Sequence, residues 1–315
     1  MRLLKGLSVL ATLGMLLVLL GGALVTKTDS GMGCGNSWPL CHGEWIPSDI
    51  DLALIIELSH RLVSGGVGLL VLALSILAWM KVGHIREVKF LSFLAFFFLL
   101  AQGLIGAAAV KWGQSDFVLA IHFGISLVSF AAVLLLMLII FEIDRKFDAR
   151  SLYIQKPFRI HTYALASYTL MVVYTGALVR HTYSSMACLD WPMCTNASPF
   201  DFSSYGSAQW IQMGHRAAAA GVLIWTVSLM VKALKDYKDS PLMQKGWILA
   251  ASLMAAQVLI GAFVIMTYVH LGLALLHALI ISVYVGLLSY FLLLSSRSAN
   301  YERSVKQTKQ KSQSS

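Results

Sequence analysis

The chain has 315 residues, 58% of them hydrophobic and 12% charged, with a formal net charge of +9. A soluble domain carries about 25% charged and roughly 45–50% apolar residues, so this composition excludes a simple globular enzyme, a disordered chain and a small secreted disulfide scaffold. The mean hydropathy of +0.74 places the chain among integral membrane proteins.

Crossing an apolar slab about 30 Å thick takes about 20 mostly apolar residues in a helix, which satisfies its own backbone hydrogen bonds in lipid. In chain order the sequence predicts such helices at 7–26, 53–80, 90–110, 117–141, 158–179, 208–232, 244–268 and 270–294. The first follows Arg2 and Lys5 as a secretory signal would, but its apolar run is too long and no small-residue cleavage site stands out. The expected fold class is therefore an all-α integral membrane protein with eight transmembrane helices.

The basic residues orient this layout. Of the 24 Lys and Arg, 19 lie at the N-terminus, in the segments 81–89, 145–159 and 232–245, or beyond 297. Lys27, Lys111 and Arg180 lie on the opposite side, and Arg61 and Arg216 fall within helices. Cytoplasmic loops are rich in Lys and Arg, so both termini are expected in the cytoplasm, in a plasma-membrane protein in contact with lipid. The positive charge thus reflects topology and implies no nucleic-acid partner. The polar stretch 297–315 has little to pack and is expected to be a disordered cytoplasmic tail.

The same orientation puts the loops 27–52 and 180–207 outside, and they hold all four cysteines. In an oxidising compartment Cys34–Cys41 and Cys188–Cys194 read as two short disulfides. A four-cysteine metal site is the alternative, although neither pair has the two-residue spacing of a zinc knuckle.

Shifting the sequence along itself by about 155 positions brings its landmarks into register. GALV at 22–25 falls on GALV at 176–179, WPLC ending at Cys41 on WPMC ending at Cys194, His60-Arg61 on His215-Arg216, AQGLIGA from Ala101 on AQVLIGA from Ala256, and His122 on His277. Two tandem-repeated four-helix bundles of parallel orientation are expected, at 1–141 and 158–296, joined by a cytoplasmic linker at 142–157.

His60, His122, His215 and His277 each lie one or two turns inside the outer end of an even-numbered helix. An imidazole inside the membrane is costly and points to function, although an interhelical hydrogen bond explains any one of them alone. Two imidazoles facing each other across a bundle can ligate heme iron from both sides, whereas a zinc site would need further ligands. One heme per half is the better account. Arg61 and Arg216 are placed either to pair with heme propionates or to snorkel to lipid headgroups. Gly65, Gly66, Gly68 and Gly221 either leave room for a flat macrocycle or allow close helix packing. His42, His84, His161, His181 and His270 read as solvated or interfacial.

The halves differ at one telling place. Glu57, three residues before His60 and near it on the helix face, corresponds to Gln212 in the second half. A carboxylate beside a heme can accept a proton or stabilise developing positive charge, and an amide can do neither. An interfacial acid that contacts Arg61 or water is the alternative. The asymmetry assigns chemistry to the N-terminal half and electron transfer to the C-terminal half.

With these residues in view, the chain resembles the heme A synthase family over nearly its whole length. ELSHRLVSG at 57–65 and GHRAAAAG at 214–221 carry the likeness most specifically, and the cysteine pairs resemble the bacterial form with cysteines in the extracytoplasmic loops. The resemblance implies that His60 and His122 hold the iron of the substrate heme O and that His215 and His277 hold one heme b cofactor. It also implies an essential catalytic role for Glu57, a functional role for Cys34 and Cys41 and a structural one for Cys188 and Cys194. The activity implied is oxidation of the C8 methyl of heme O to the formyl of heme A by successive hydroxylations, for use by terminal oxidases of the respiratory chain. The partners implied are a heme O synthase (protoheme farnesyltransferase) and an electron acceptor. A diheme b-type cytochrome that takes electrons from quinol is the competing expectation, and a parallel-repeat transporter is a third, disfavoured by the continuous helices.

Overall fold

The computed structural model describes residues 1–45, 47–113, 116–142 and 152–314. These form eight long helices: α1 (Arg2–Lys27), α2 (Leu52–Val82), α3 (Arg86–Trp112), α4 (Asp116–Ile140), α5 (Lys156–His181), α6 (Ser207–Asp236), α7 (Pro241–Met266) and α8 (Leu271–Ser314). A short 3-10 turn at Ser184–Met186 follows α5. All eight helices are long and apolar enough to cross a membrane, and the protein is a multi-pass membrane protein.

Seven of the helices start one to five residues earlier than the apolar runs, α8 starts one residue later, and α2, α3, α5 and α6 also run two to four residues past them, because helical hydrogen bonding continues into polar end turns that hydropathy does not register. Local chemistry sets the starts. Asp51 Oδ1 accepts the Leu54 N–H at 2.7 Å and caps α2. Pro157 and Pro241 sit in the first turns of α5 and α7, where a missing N–H costs nothing.

Helices α1–α4 pack in the cyclic order α1, α2, α3, α4 and back to α1, and α5–α8 pack in the same order. Contacts of α4 with α5 and α8, and of α1 with α8, join the two groups. The central element is α4, with 67% of its apolar window buried against 22–39% for the other helices. Outward-facing side chains such as Leu10, Leu13 and Leu17 on α1 and Phe90, Phe93 and Phe97 on α3 are exposed; in a membrane this apolar surface meets acyl chains. At the end away from the disulfides, Trp247 stacks on Phe291 at 4.7 Å and takes the edge of Phe158 at 5.4 Å.

The tail departs from expectation. Beyond Arg297, where the sequence predicts disorder, α8 continues as helix to Ser314. Long-range contacts pin its first turns: Arg297 Nε pairs with Glu87 at 3.0 Å, and Arg159 Nη2 with Glu302 at 2.6 Å. Ser298 Oγ accepts the Ile154 N–H at 2.8 Å, so the end of the expected linker docks on the same helix. Most of that linker, 143–151, lies outside the described residues.

Candidate functional site

The four cysteines form two disulfides, Cys34–Cys41 and Cys188–Cys194. Each closes a small loop at the same end of the helices, and each loop is fastened to the helix that follows it. Glu57, in the second turn of α2, is only 3% exposed. Its Oε2 accepts the Cys34 N–H at 2.8 Å and its Oε1 accepts Arg61 Nη2 at 2.5 Å. Arg61 Nη1 donates to the carbonyls of Ser37 at 2.8 Å and Leu40 at 3.0 Å. Gly33 lets the loop lie this close, since a Cβ there would come within 2.6 Å of the backbone at Ala53 and Leu54.

Gln212 occupies the matching place on α6. Its Oε1 accepts the Cys188 N–H at 2.6 Å and its Nε2 donates to the Ser185 carbonyl at 2.8 Å. Arg216 donates through Nη1 to Asp190 and Met193 at 2.7 and 3.0 Å, and through Nη2 to Cys188 at 3.0 Å. Both arginines therefore hold loop carbonyls. The residue three before each histidine also holds its loop, but only Glu57 brings a carboxylate.

His60 has His122 as an electrostatic neighbour, and His277 has His215. Each ring lies against a glycine of a neighbouring helix. An added Cβ would come within 2.9 Å of the His60 ring at Gly21, 3.3 Å of His122 at Gly106, 2.8 Å of His215 at Gly176 and 3.1 Å of His277 at Gly261. These ring-contacting glycines are positions that sequence reasoning missed. The signal was present, because Gly106 and Gly261 end the repeated AQxLIG motif and Gly176 opens the second GALV. By contrast, Gly65 and Gly66 meet nothing within 4 Å, and Gly221 faces the Tyr168 hydroxyl at 2.9 Å.

The imidazole nitrogens test whether these residues suit a heme. Nδ1 of His60, His122 and His277 is buried without a well-formed hydrogen bond, although the carbonyls of Gln102 and Gln257 are polar neighbours of His122 and His277. His215 Nδ1 lies 2.9 Å from Thr175 Oγ1. Paired, buried imidazoles from facing helices, with apolar and glycine surroundings, form a donor set that fits a six-coordinate heme in each half. Among the described residues no three His, Cys, Asp or Glu side chains converge as a metal cage. Beside the first site, Asp29, Leu119, Arg180 and His181 line a cavity of about 280 Å³; His181 is thus half-buried in structure rather than merely solvated.

Residues 5–289 match the family model COX15-CtaA, described as cytochrome oxidase assembly protein. A protein of Lysinibacillus sphaericus named heme A synthase is 54% identical over 305 residues, covering 97% of this chain and 99% of that one. Heme A synthases of Geobacillus kaustophilus and Bacillus cereus are 56% and 51% identical, over 94% of this chain and 92% and 94% of theirs.

Proposed function

Because the chain belongs to the COX15-CtaA family of cytochrome oxidase assembly proteins, we propose that it converts heme O to heme A. It is then an oxidoreductase that acts on a CH3 group, taking the C8 methyl of a farnesylated macrocycle to a formyl group by successive hydroxylations. His60 and His122 hold the substrate iron among α1–α4, and His215 and His277 hold one heme b among α5–α8. When bound, heme b supplies one-electron transfer between the substrate site and an acceptor in the membrane or at its outer face.

The observation that carries this reading is the buried carboxylate of Glu57, one helical turn from His60, where the second half has the neutral Gln212. Passing two electrons from the methyl group to the acceptor releases a proton and develops positive charge on the reacting carbon, to which a water oxygen then adds with loss of a second proton. Glu57 is positioned to accept a proton and stabilise that charge. Arg61 and the Cys34 N–H fix the carboxylate's orientation, so less reorganisation is needed when charge develops. Gln212 offers the same hydrogen-bonding support to its loop without a base, which suits a half that only relays electrons.

The two halves act as separate bundles, 1–141 for substrate and 158–296 for the cofactor. The heme sites lie towards the outer face of the plasma membrane, with both termini in the cytoplasm. Heme O is too apolar to travel through water, so it enters laterally from lipid, with direct handover from the heme O synthase. Pigments extracted from the protein purified out of a host that makes heme O test the proposal. Heme b together with heme O or heme A is expected; heme b alone would make the protein a b-type electron carrier.

A further inference from the structure

The first histidine of each pair is held differently in the two halves. His215 Nδ1 lies 2.9 Å from Thr175 Oγ1, and that hydroxyl gives its own proton to the Val172 carbonyl at 2.7 Å. With its hydrogen committed, the Thr175 oxygen can only accept, and the Val172 carbonyl is a second acceptor beside the same ring, so the proton on this side of the imidazole belongs to His215 Nδ1. This fixes the tautomer that leaves Nε2 bare as a metal ligand.

In the first half the position aligned with Thr175 is Gly21, the residue before GALV just as Thr175 is. The geometry agrees with the alignment. A Cβ on Gly21 would lie 2.9 Å from His60 Nδ1, and one on Gly22 would lie 3.5 Å from His60 Cε1, as one on Gly176 would approach His215 Cε1 at 2.8 Å. Gly21 offers no hydroxyl, and among the described residues His60 Nδ1 has no hydrogen-bond partner. The other pair shows no such contrast: His122 and His277 both lie beside a glycine and a glutamine carbonyl.

We infer that Thr175 is a positioning residue that locks His215 for a permanently bound heme, and that Gly21 leaves His60 unlocked so that the heme in the first half can be exchanged. The inference rests on the proposed function, which needs a resident cofactor in one half and a passing substrate and product in the other. A ligating imidazole that donates its second N–H to an oxygen is more basic and more rigidly oriented, and removing that acceptor weakens metal binding by about 10- to 100-fold. Greater basicity also favours ferric over ferrous iron, so the hydrogen bond lowers the reduction potential of the heme that it serves.

The test uses purified full-length protein loaded with heme b, with Thr175→Val, which keeps the shape and removes the hydroxyl acceptor while leaving the Val172 carbonyl, and Thr175→Ser, which restores the hydroxyl. The readouts are the midpoint potential of the bound heme b and its rate of transfer to an excess of apomyoglobin. Thr175→Val should raise the potential and speed transfer about 10- to 100-fold, while Thr175→Ser should stay near wild type in both. A Val variant that matches wild type, or a Ser variant that behaves like Val, would overturn the inference. Wild-type protein that holds no heme b would instead overturn the functional reading, so the two failures are distinguishable.

Discussion

Replacing Glu57 with Gln separates the two jobs of this side chain. The carboxylate fastens the Cys34–Cys41 loop through the Cys34 N–H at 2.8 Å and pairs with Arg61. The pair is well shielded, with side chains 12% and 4% exposed, so losing one charge-assisted hydrogen bond costs roughly 1.5–3 kcal/mol. Gln212 shows how much is recovered: an amide oxygen accepts the Cys188 N–H at 2.6 Å, and its nitrogen reaches the Ser185 carbonyl at 2.8 Å. At position 57 the corresponding carbonyl is that of Gly31. The net loss for Glu57→Gln is therefore about 1–2 kcal/mol, and the loop stays in place. Thermal unfolding in detergent should show a modest drop, the heme content should match wild type, and heme A should fall to background in extracted membranes. Normal heme A output from this variant would refute the role given to the carboxylate. Loss of both hemes would refute the claim that an amide can hold the loop.

The glycine contacts give paired predictions. Gly176→Ala puts a Cβ 2.8 Å from His215, so the ring must move; heme b content should drop severalfold in the absorbance spectrum, with heme O still bound in the first half. Gly21→Ala, at 2.9 Å from His60 Nδ1, should do the reverse. Arg216→Ala removes donors from the carbonyls of Cys188, Asp190 and Met193 and should cost about 2–4 kcal/mol, seen as a lower melting temperature and faster proteolysis of the 180–207 loop. Arg159→Ala removes the Arg159–Glu302 ion pair at the opposite end of the molecule; it should expose the helix beyond Arg297 to limited proteolysis while leaving the heme spectra unchanged.

Hydropathy alone reveals the eight helices, because about 20 apolar residues in a row have few other uses. Their polar ends were harder to read. The helical tail beyond Arg297 depends on Glu87 and Arg159, more than 130 positions away in sequence, and no local pattern reports such contacts. At the site, the repeat revealed the histidines and the Glu57–Gln212 difference directly. It could not reveal what Glu57 and Arg61 touch, since their partners are backbone groups of a loop 21–24 residues away. The glycines that touch the imidazoles escape notice for a related reason. Gly65 and Gly66 stand out by clustering, whereas the contacts of Gly21, Gly106, Gly176 and Gly261 are set by which helix faces which imidazole. Thr175 stands one residue outside the GALV match, where a hydroxyl opposite a glycine at aligned positions is visible in the sequence but its contact with His215 is not.

The central claim is tested most directly by reversed-phase chromatography with mass detection of hemes from membranes that contain this protein and a heme O synthase, against membranes with the synthase alone. Heme A or its hydroxylated intermediate should appear only when this protein is present. Heme O persisting unchanged, with heme b bound to the purified protein, would contradict the account.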